Sequence, residues 1–278
     1  MRFLIFRNVF IAFCAVCMVW TTMFSSGIMI KPDAFIGFIF FSTFFVYNFH
    51  AFSNHLVRSP FQKFFHLFDQ AVSIEQRFCV IVGLLGTVIC YLNISFRSQV
   101  FCLFFGMVTL AYTLPLVFFN GQKKRLREIS YVKILTVSLM WSLVTVVLPF
   151  IEYDSSFNVF TFLERMFFVY AITIPFEIRD MEQEKKIGVL TIVAIHGIEN
   201  TKRLGYFLLL MFSILCGVHQ YFYHLGINFA IPMACSAIVA GLLIYFTNEQ
   251  RTKWYYKGFI DGTMILQYAL LIIFNLVH

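Results

Sequence analysis

Apolar residues occur along the chain in long, nearly uninterrupted runs, not in the alternating or three-to-four-residue patterns of amphipathic elements. Nine such runs stand out, at about 9–30, 34–52, 78–95, 99–119, 131–151, 158–176, 205–224, 226–246 and 258–277. Each approaches the ~20 residues that a helix needs to cross the hydrocarbon of a bilayer. The pattern therefore predicts an all-α integral membrane protein with nine transmembrane helices. Very short turns join the first pair of spans and the seventh and eighth. No Pro-, Gly- or Ser-rich linker and no shift in composition interrupts residues 1–278, which read as a single polytopic membrane domain.

Composition and charge sharpen this picture. Hydrophobic residues make up 60% of the chain and charged residues only 13%, too little polar surface for a soluble domain of this length. If the N-terminus and the loops after spans 2, 4, 6 and 8 share one side, that side carries 17 of the 21 Lys and Arg residues. Lys31 and Arg97 fall on the other side, and Lys133 and Arg165 lie within spans. Positive loops are retained in the cytoplasm, so the N-terminus is expected inside and His278 outside. The net charge of +7 is then mainly a signal of topology, and nucleic acid is not an expected partner. The run after Arg2 and Arg7 exceeds a signal-peptide core and precedes eight more spans, so it reads as a retained helix. Cys14 and Cys17 form a C-x-x-C within that run and read as small apolar residues rather than a redox pair. The expected location is a bacterial plasma membrane.

The densest polar feature follows span 6: Glu177-Ile178-Arg179-Asp180-Met181-Glu182-Gln183-Glu184-Lys185-Lys186-Ile187-Gly188-Val189-Leu190-Thr191. Glu177, Asp180 and Glu184 are spaced i, i+3, i+7, which stacks them on one helix face over roughly 10 Å. Two readings are open on spacing alone. The face is either a Mg2+ site, in which carboxylates hold the ion together with substrate phosphates while Arg179 and Lys185 pair with phosphate oxygens, or a solvated, mixed-charge helix end. Gly188 supplies a helix stop and Thr191 a polar turn. Tyr47-Asn48-Phe49-His50 at the end of span 2 has a faint counterpart in Phe176-Glu177-Ile178-Arg179 at the end of span 6.

The stretch from Glu177 to Thr191 resembles the second aspartate-rich motif of the UbiA superfamily of intramembrane prenyltransferases, D-x-R-D-x-E-x-D-x-x-x-G-x-x-T. Arg179, Asp180, Glu182, Gly188 and Thr191 match it, and Glu177 and Glu184 replace aspartates. The family also has nine helices, with this motif on the cytoplasmic side after the sixth. The resemblance implies a UbiA-like bundle with a cytoplasm-facing polar cavity, Mg2+ held by Glu177, Asp180 and Glu184, and the same three as the catalytic carboxylates. It further implies an isoprenyl diphosphate donor and an aromatic or lipid acceptor, with water excluded from the allylic cation.

The family's first motif, N-D-x-x-D-x-x-x-D, should follow span 2. Anchored on Asn48, its carboxylate positions hold Phe49, Phe52 and Leu56. Asn48, His50, Asn54 and His55 remain as polar candidates: Asn48, His50 and Asn54 are expected to contact substrate or to cap the end of the span. After span 4, Tyr112 and the cations Lys123, Lys124 and Arg125 are expected near the diphosphate or serve topology alone. Lys133 begins span 5, where a cation either reaches the interface or serves a polar cavity; Asp261 poses the same question in span 9. Glu164 and Arg165 are expected to pair locally or reach the outer interface. The missing carboxylates open an alternative: a catalytically inactive relative that binds a prenyl lipid or acts as a scaffold. Charges gathered at cytoplasmic helix ends argue against a transporter.

Overall fold

The computed structural model describes residues 8–56, 74–119, 121–186 and 188–277. They form α1 (Val9–Ser25), α2 (Ala34–Leu56), α3 (Ile74–Tyr91) and α4 (Phe96–Thr113). A short hairpin, β1 (Val117–Phe119) and β2 (Gln122–Lys124), leads into α5 (Ser130–Glu152). Then come α6 (Val159–Lys186), the single-turn α7 (Ile192–His196), α8 (Ile198–Tyr223) and α9 (Ile227–Tyr245). A π turn, Tyr255–Ile260, opens the last helix, α10 (Asp261–Val277).

Helices α1, α10, α9, α8, α6 and α5 pack in that order around a closed ring, with α2 and α3 outside α1 and α4 outside α5. The inner core joins Met18 of α1, Phe168 and Ile172 of α6, Phe212 of α8, Met233 of α9 and Met264 of α10. Outward faces are as apolar as the core: Phe78, Ile81, Leu85 and Ile89 of α3 are all exposed. Such a surface is stable only against lipid, so the chain is an integral membrane protein. Helix pairs in lipid close through small residues. Gly83 of α3 lies so near α2 that an added Cβ would come within 2.9 Å of the Phe45 Cα.

Seven of the described helices are long and apolar enough to span a bilayer. The nine expected spans include two more, α1 and α4, whose helices have 17 and 18 residues. The apolar run at 99–119 was expected to be one span, but its helix ends at Thr113 and Val117–Phe119 is strand. Pro115 explains the break, because it disfavours helix at Leu114, which is extended. The turn between the first two spans is longer than expected, since α1 stops at Ser25 and α2 starts at Ala34. Conversely, α6 does not end at 176 but carries the charged stretch to Lys186 as one 28-residue helix. Gly188, at φ +76°, then terminates it, and its N–H and that of Val189 donate back to the Lys185 and Glu184 carbonyls. Thr191 caps α7, accepting from the Ala194 N–H at 3.1 Å.

Candidate functional site

Two polar groupings lie near the C-terminal end of α6. In the first, Lys133 of α5 places its Nζ 2.7 Å from Glu177 Oε1 and 2.5 Å from Glu184 Oε1. Two helical turns, about 10 Å of rise, separate the glutamates, and the ammonium sits between them. All three residues are buried. The start of α5 is tied down next to the turn after α6: the Ser130 hydroxyl donates to the Leu190 carbonyl, and Tyr131 hydrogen-bonds His196 at 2.7 Å. Those contacts fix where Lys133 enters. The remaining oxygens, Glu177 Oε2 and Glu184 Oε2, are buried without a hydrogen-bond partner among the described residues.

The second grouping lines a cavity of about 260 Å3 enclosed by α1, α2, α5, α6 and α10. Its walls include Phe10, Tyr47, Trp141 and Phe176, and its polar lining is Asn8, Thr173, Arg179, Lys257 and Asp261. Arg179 chelates Asp180 with Nε–Oδ1 at 2.7 Å and Nη2–Oδ2 at 2.8 Å. Its guanidinium also lies 4.9 Å from the Phe176 ring and 5.1 Å from Tyr256, a cation–π seat that holds the charge at the cavity wall. Lys257 donates to Asn8 Oδ1 at 3.1 Å, and Asn8 donates to Asn48 Oδ1 at 3.3 Å. Asp261 shares the cavity lining with Lys257 and Arg179. Both π turns flank this cavity. Trp141 lies two residues before the Leu143–Val147 turn of α5, and Lys257 lies in the Tyr255–Ile260 turn. A π turn leaves backbone groups to be satisfied elsewhere; Thr22 donates to the Thr145 carbonyl at 2.8 Å.

Several sequence candidates fall elsewhere. His50 hydrogen-bonds Thr113 at 2.7 Å and packs edge-on against Tyr112. Arg125 is buried and engaged by Glu128 at 2.7 Å. Lys123 lies over the Phe118 ring, and Lys185 is exposed. Lys124 lies in β2. Asn54 lies in α2, but its side chain, like that of His55, is outside the described residues. Glu164 and Arg165 do not pair with each other as expected, nor do they reach outward. Glu164 accepts from or pairs with His219 Nδ1 at 2.9 Å, and Asn158 meets His219 Nε2 at 2.8 Å. Arg165 turns to α1, donating to the Met18 carbonyl at 3.0 Å and to Thr22 Oγ1 at 3.1 Å. Tyr47 and Phe176, the first residues of the two similar four-residue stretches, both line this cavity.

Seen beside structures already solved, the chain matches a UbiA homologue from Archaeoglobus fulgidus with a TM-score of 0.67 at 14% identity, covering 99% of each chain. The chain has the UbiA fold. A UbiA homologue from Aeropyrum pernix K1 matches with a TM-score of 0.66 at 12% identity over 95% of each chain. The A. fulgidus homologue bound to GPP and Mg2+ matches with a TM-score of 0.66 at 12% identity, over 96% of this chain and 98% of that one. No family model matches the sequence, and no curated protein does.

The UbiA fold raises the question of whether these residues suit Mg2+. Among the described residues, no three His, Cys, Asp or Glu side chains are grouped to hold a metal ion. The expected trio of Glu177, Asp180 and Glu184 is split: the glutamates share an ammonium and the aspartate faces a guanidinium. The missing first-motif carboxylates leave no opposing ligands from residues 49, 52 and 56. The arrangement does not fit the expected metal array. Asn8, Trp141 and Lys257 were missed from sequence, since they come from distant parts of the chain: the cap of α1, α5 and the turn before α10. Lys257 carried a weak signal as a cation at the edge of the last apolar run.

Proposed function

We propose that this chain is a UbiA superfamily member that binds an isoprenyl diphosphate in the cavity between α1, α2, α5, α6 and α10, and transfers the prenyl group to an aromatic or lipid acceptor. The observation that carries this reading is an aromatic-walled cavity with two cations, Arg179 and Lys257, set within a UbiA fold. The A. fulgidus homologue of the same fold takes up GPP with Mg2+. Here the diphosphate end is assigned to Arg179, Lys257 and Asn8, whose donors match phosphate oxygens. The volume lies just below the ~300–1,000 Å3 usual for ligand pockets, which suits a short prenyl chain or the reactive end of a longer one.

The chemistry follows from that placement. The allylic C–O bond breaks and its electron pair leaves with the diphosphate, whose growing charge Arg179 and Lys257 stabilise. The faces of Tyr47, Trp141 and Phe176 stabilise the allylic cation, and the bilayer excludes the water that would quench it. The acceptor then bonds to the cation and releases a proton. Mg2+ is the family's expected cofactor, and its expected ligands here are Glu177, Asp180 and Glu184; their arrangement does not fit the ion, and the ionisation is assigned to Arg179 and Lys257. On this proposal the chain is one polytopic domain with a cytoplasmic N-terminus in a bacterial plasma membrane.

A second reading, a prenyl-lipid binder or scaffold without turnover, is favoured by Phe49, Phe52 and Leu56 at the first motif's carboxylate positions. Pyrophosphate release from a panel of allylic diphosphates, with membrane lipid extract as acceptor source, separates the two. The transferase releases pyrophosphate and loses that release in Arg179→Ala and Asp180→Ala. Protein that binds a donor but releases nothing is the binder.

A further inference from the structure

We infer that Lys133 is a built-in counter-cation that occupies the place of a divalent metal between Glu177 and Glu184, so that this chain engages its diphosphate ligand without a metal on those carboxylates. The inference rests on the proposed function for the identity of the ligand, but not for the cation. Lys133 Nζ lies 2.7 and 2.5 Å from one oxygen of each glutamate, the contacts that an incoming cation would need. A metal must therefore expel a buried ammonium that has no other acceptor among the described residues, or share its oxygens against like-charge repulsion. Among the described residues the two remaining carboxylate oxygens are buried and without partners, so the pair keeps acceptor capacity that the lysine alone does not exhaust. Asp180, which would complete a three-carboxylate set, is committed to Arg179 through both oxygens. Lysine and two carboxylates sum to one negative charge, and removing the lysine leaves two. Only the latter state is electrostatically poised for a divalent ion.

The test uses the purified full-length chain with Mn2+ as the metal probe, detected by electron paramagnetic resonance, and an unreactive geranyl thiolodiphosphate as the ligand probe. The wild type is expected to bind no Mn2+ at millimolar metal, with or without the analogue. Its affinity for the analogue should agree within about twofold between EDTA and Mg2+, a negligible change in binding free energy. Lys133→Met is expected to acquire a Mn2+ site, which adding Glu177→Gln abolishes. Mn2+ bound by the wild type and lost in Glu177→Gln would overturn the inference. Should Lys133→Met fail to fold, the comparison of wild type with Glu177→Gln decides alone. If the analogue binds under neither condition, the proposed function fails, while the Mn2+ result on the protein alone still decides the inference.

Discussion

Replacing Lys133 by methionine keeps the length of the side chain and removes its charge, leaving Glu177 and Glu184 buried and unpaired. At 2.7 Å and an effective dielectric of about 20, each Lys–Glu contact is worth about 6 kcal/mol of gross attraction. Desolvation of the three groups offsets most of it. Removing one partner of a buried pair costs about 3–5 kcal/mol, because a charge is left without compensation. A chain of this size shifts its melting temperature by about 2 °C per kcal/mol, so Lys133→Met should melt roughly 6–10 °C below wild type. The triple variant Lys133→Met, Glu177→Gln, Glu184→Gln removes all three charges and should recover most of that loss. The chain carries its own reporters: Cys14, Cys17, Cys79 and Cys216 are free and buried. A thiol-reactive fluorophore added during a thermal ramp therefore reads unfolding. A single variant melting within about 2 °C of wild type, less than 1 kcal/mol on the same scale, would refute this electrostatic account. So would a triple variant as unstable as the single one.

Other regions make independent predictions. His219→Ala breaks contacts to both Glu164 and Asn158 and strands a buried carboxylate, so it should cost about 3 kcal/mol against about 1 kcal/mol for Asn158→Ala in the same thermal assay. Gly83→Leu forces α3 off the Phe45 backbone and should cost about 1–3 kcal/mol, whereas Gly106→Leu, with open space around it, should be near neutral. A cytoplasmic N-terminus places Ser156 outside and Lys253 inside. In intact cells a membrane-impermeant maleimide should label Ser156→Cys and reach Lys253→Cys only after permeabilisation; the reverse would invert the topology.

The apolar runs were legible because lipid imposes a coarse rule that residue type alone satisfies. That rule also misled: Val117–Phe119 is as apolar as the helix before it, and only Pro115 marked the end of α4. The helical stacking of Glu177, Asp180 and Glu184 was readable from spacing, since i, i+3 and i+7 share a face in any helix. Their partners were not. Lys133 is 51 positions from Glu184, and no local pattern encodes that encounter, although an intramembrane cation signalled that some partner was required. Asp180 was expected to join its neighbours, but the adjacent guanidinium of Arg179 chelates it with no chain to close. The cavity was invisible for the same reason as the Lys133 pairing. Asn8, Tyr47, Trp141, Arg179 and Lys257 come from the cap of α1, from α2, α5 and α6, and from the turn before α10, and only the fold assembles them.

The most direct test of the central claim is equilibrium binding of geranyl diphosphate, read by the fluorescence of Trp141 in a chain whose other tryptophans, Trp20 and Trp254, are replaced by phenylalanine. Occupancy of the cavity predicts a saturable change that pyrophosphate competes away. The affinity should weaken about tenfold in each of Arg179→Ala and Lys257→Ala, the equivalent of about 1.4 kcal/mol apiece, and stay unchanged in Lys123→Ala. A flat Trp141 signal, or equal affinity in wild type and in the Arg179→Ala, Lys257→Ala double variant, would contradict it.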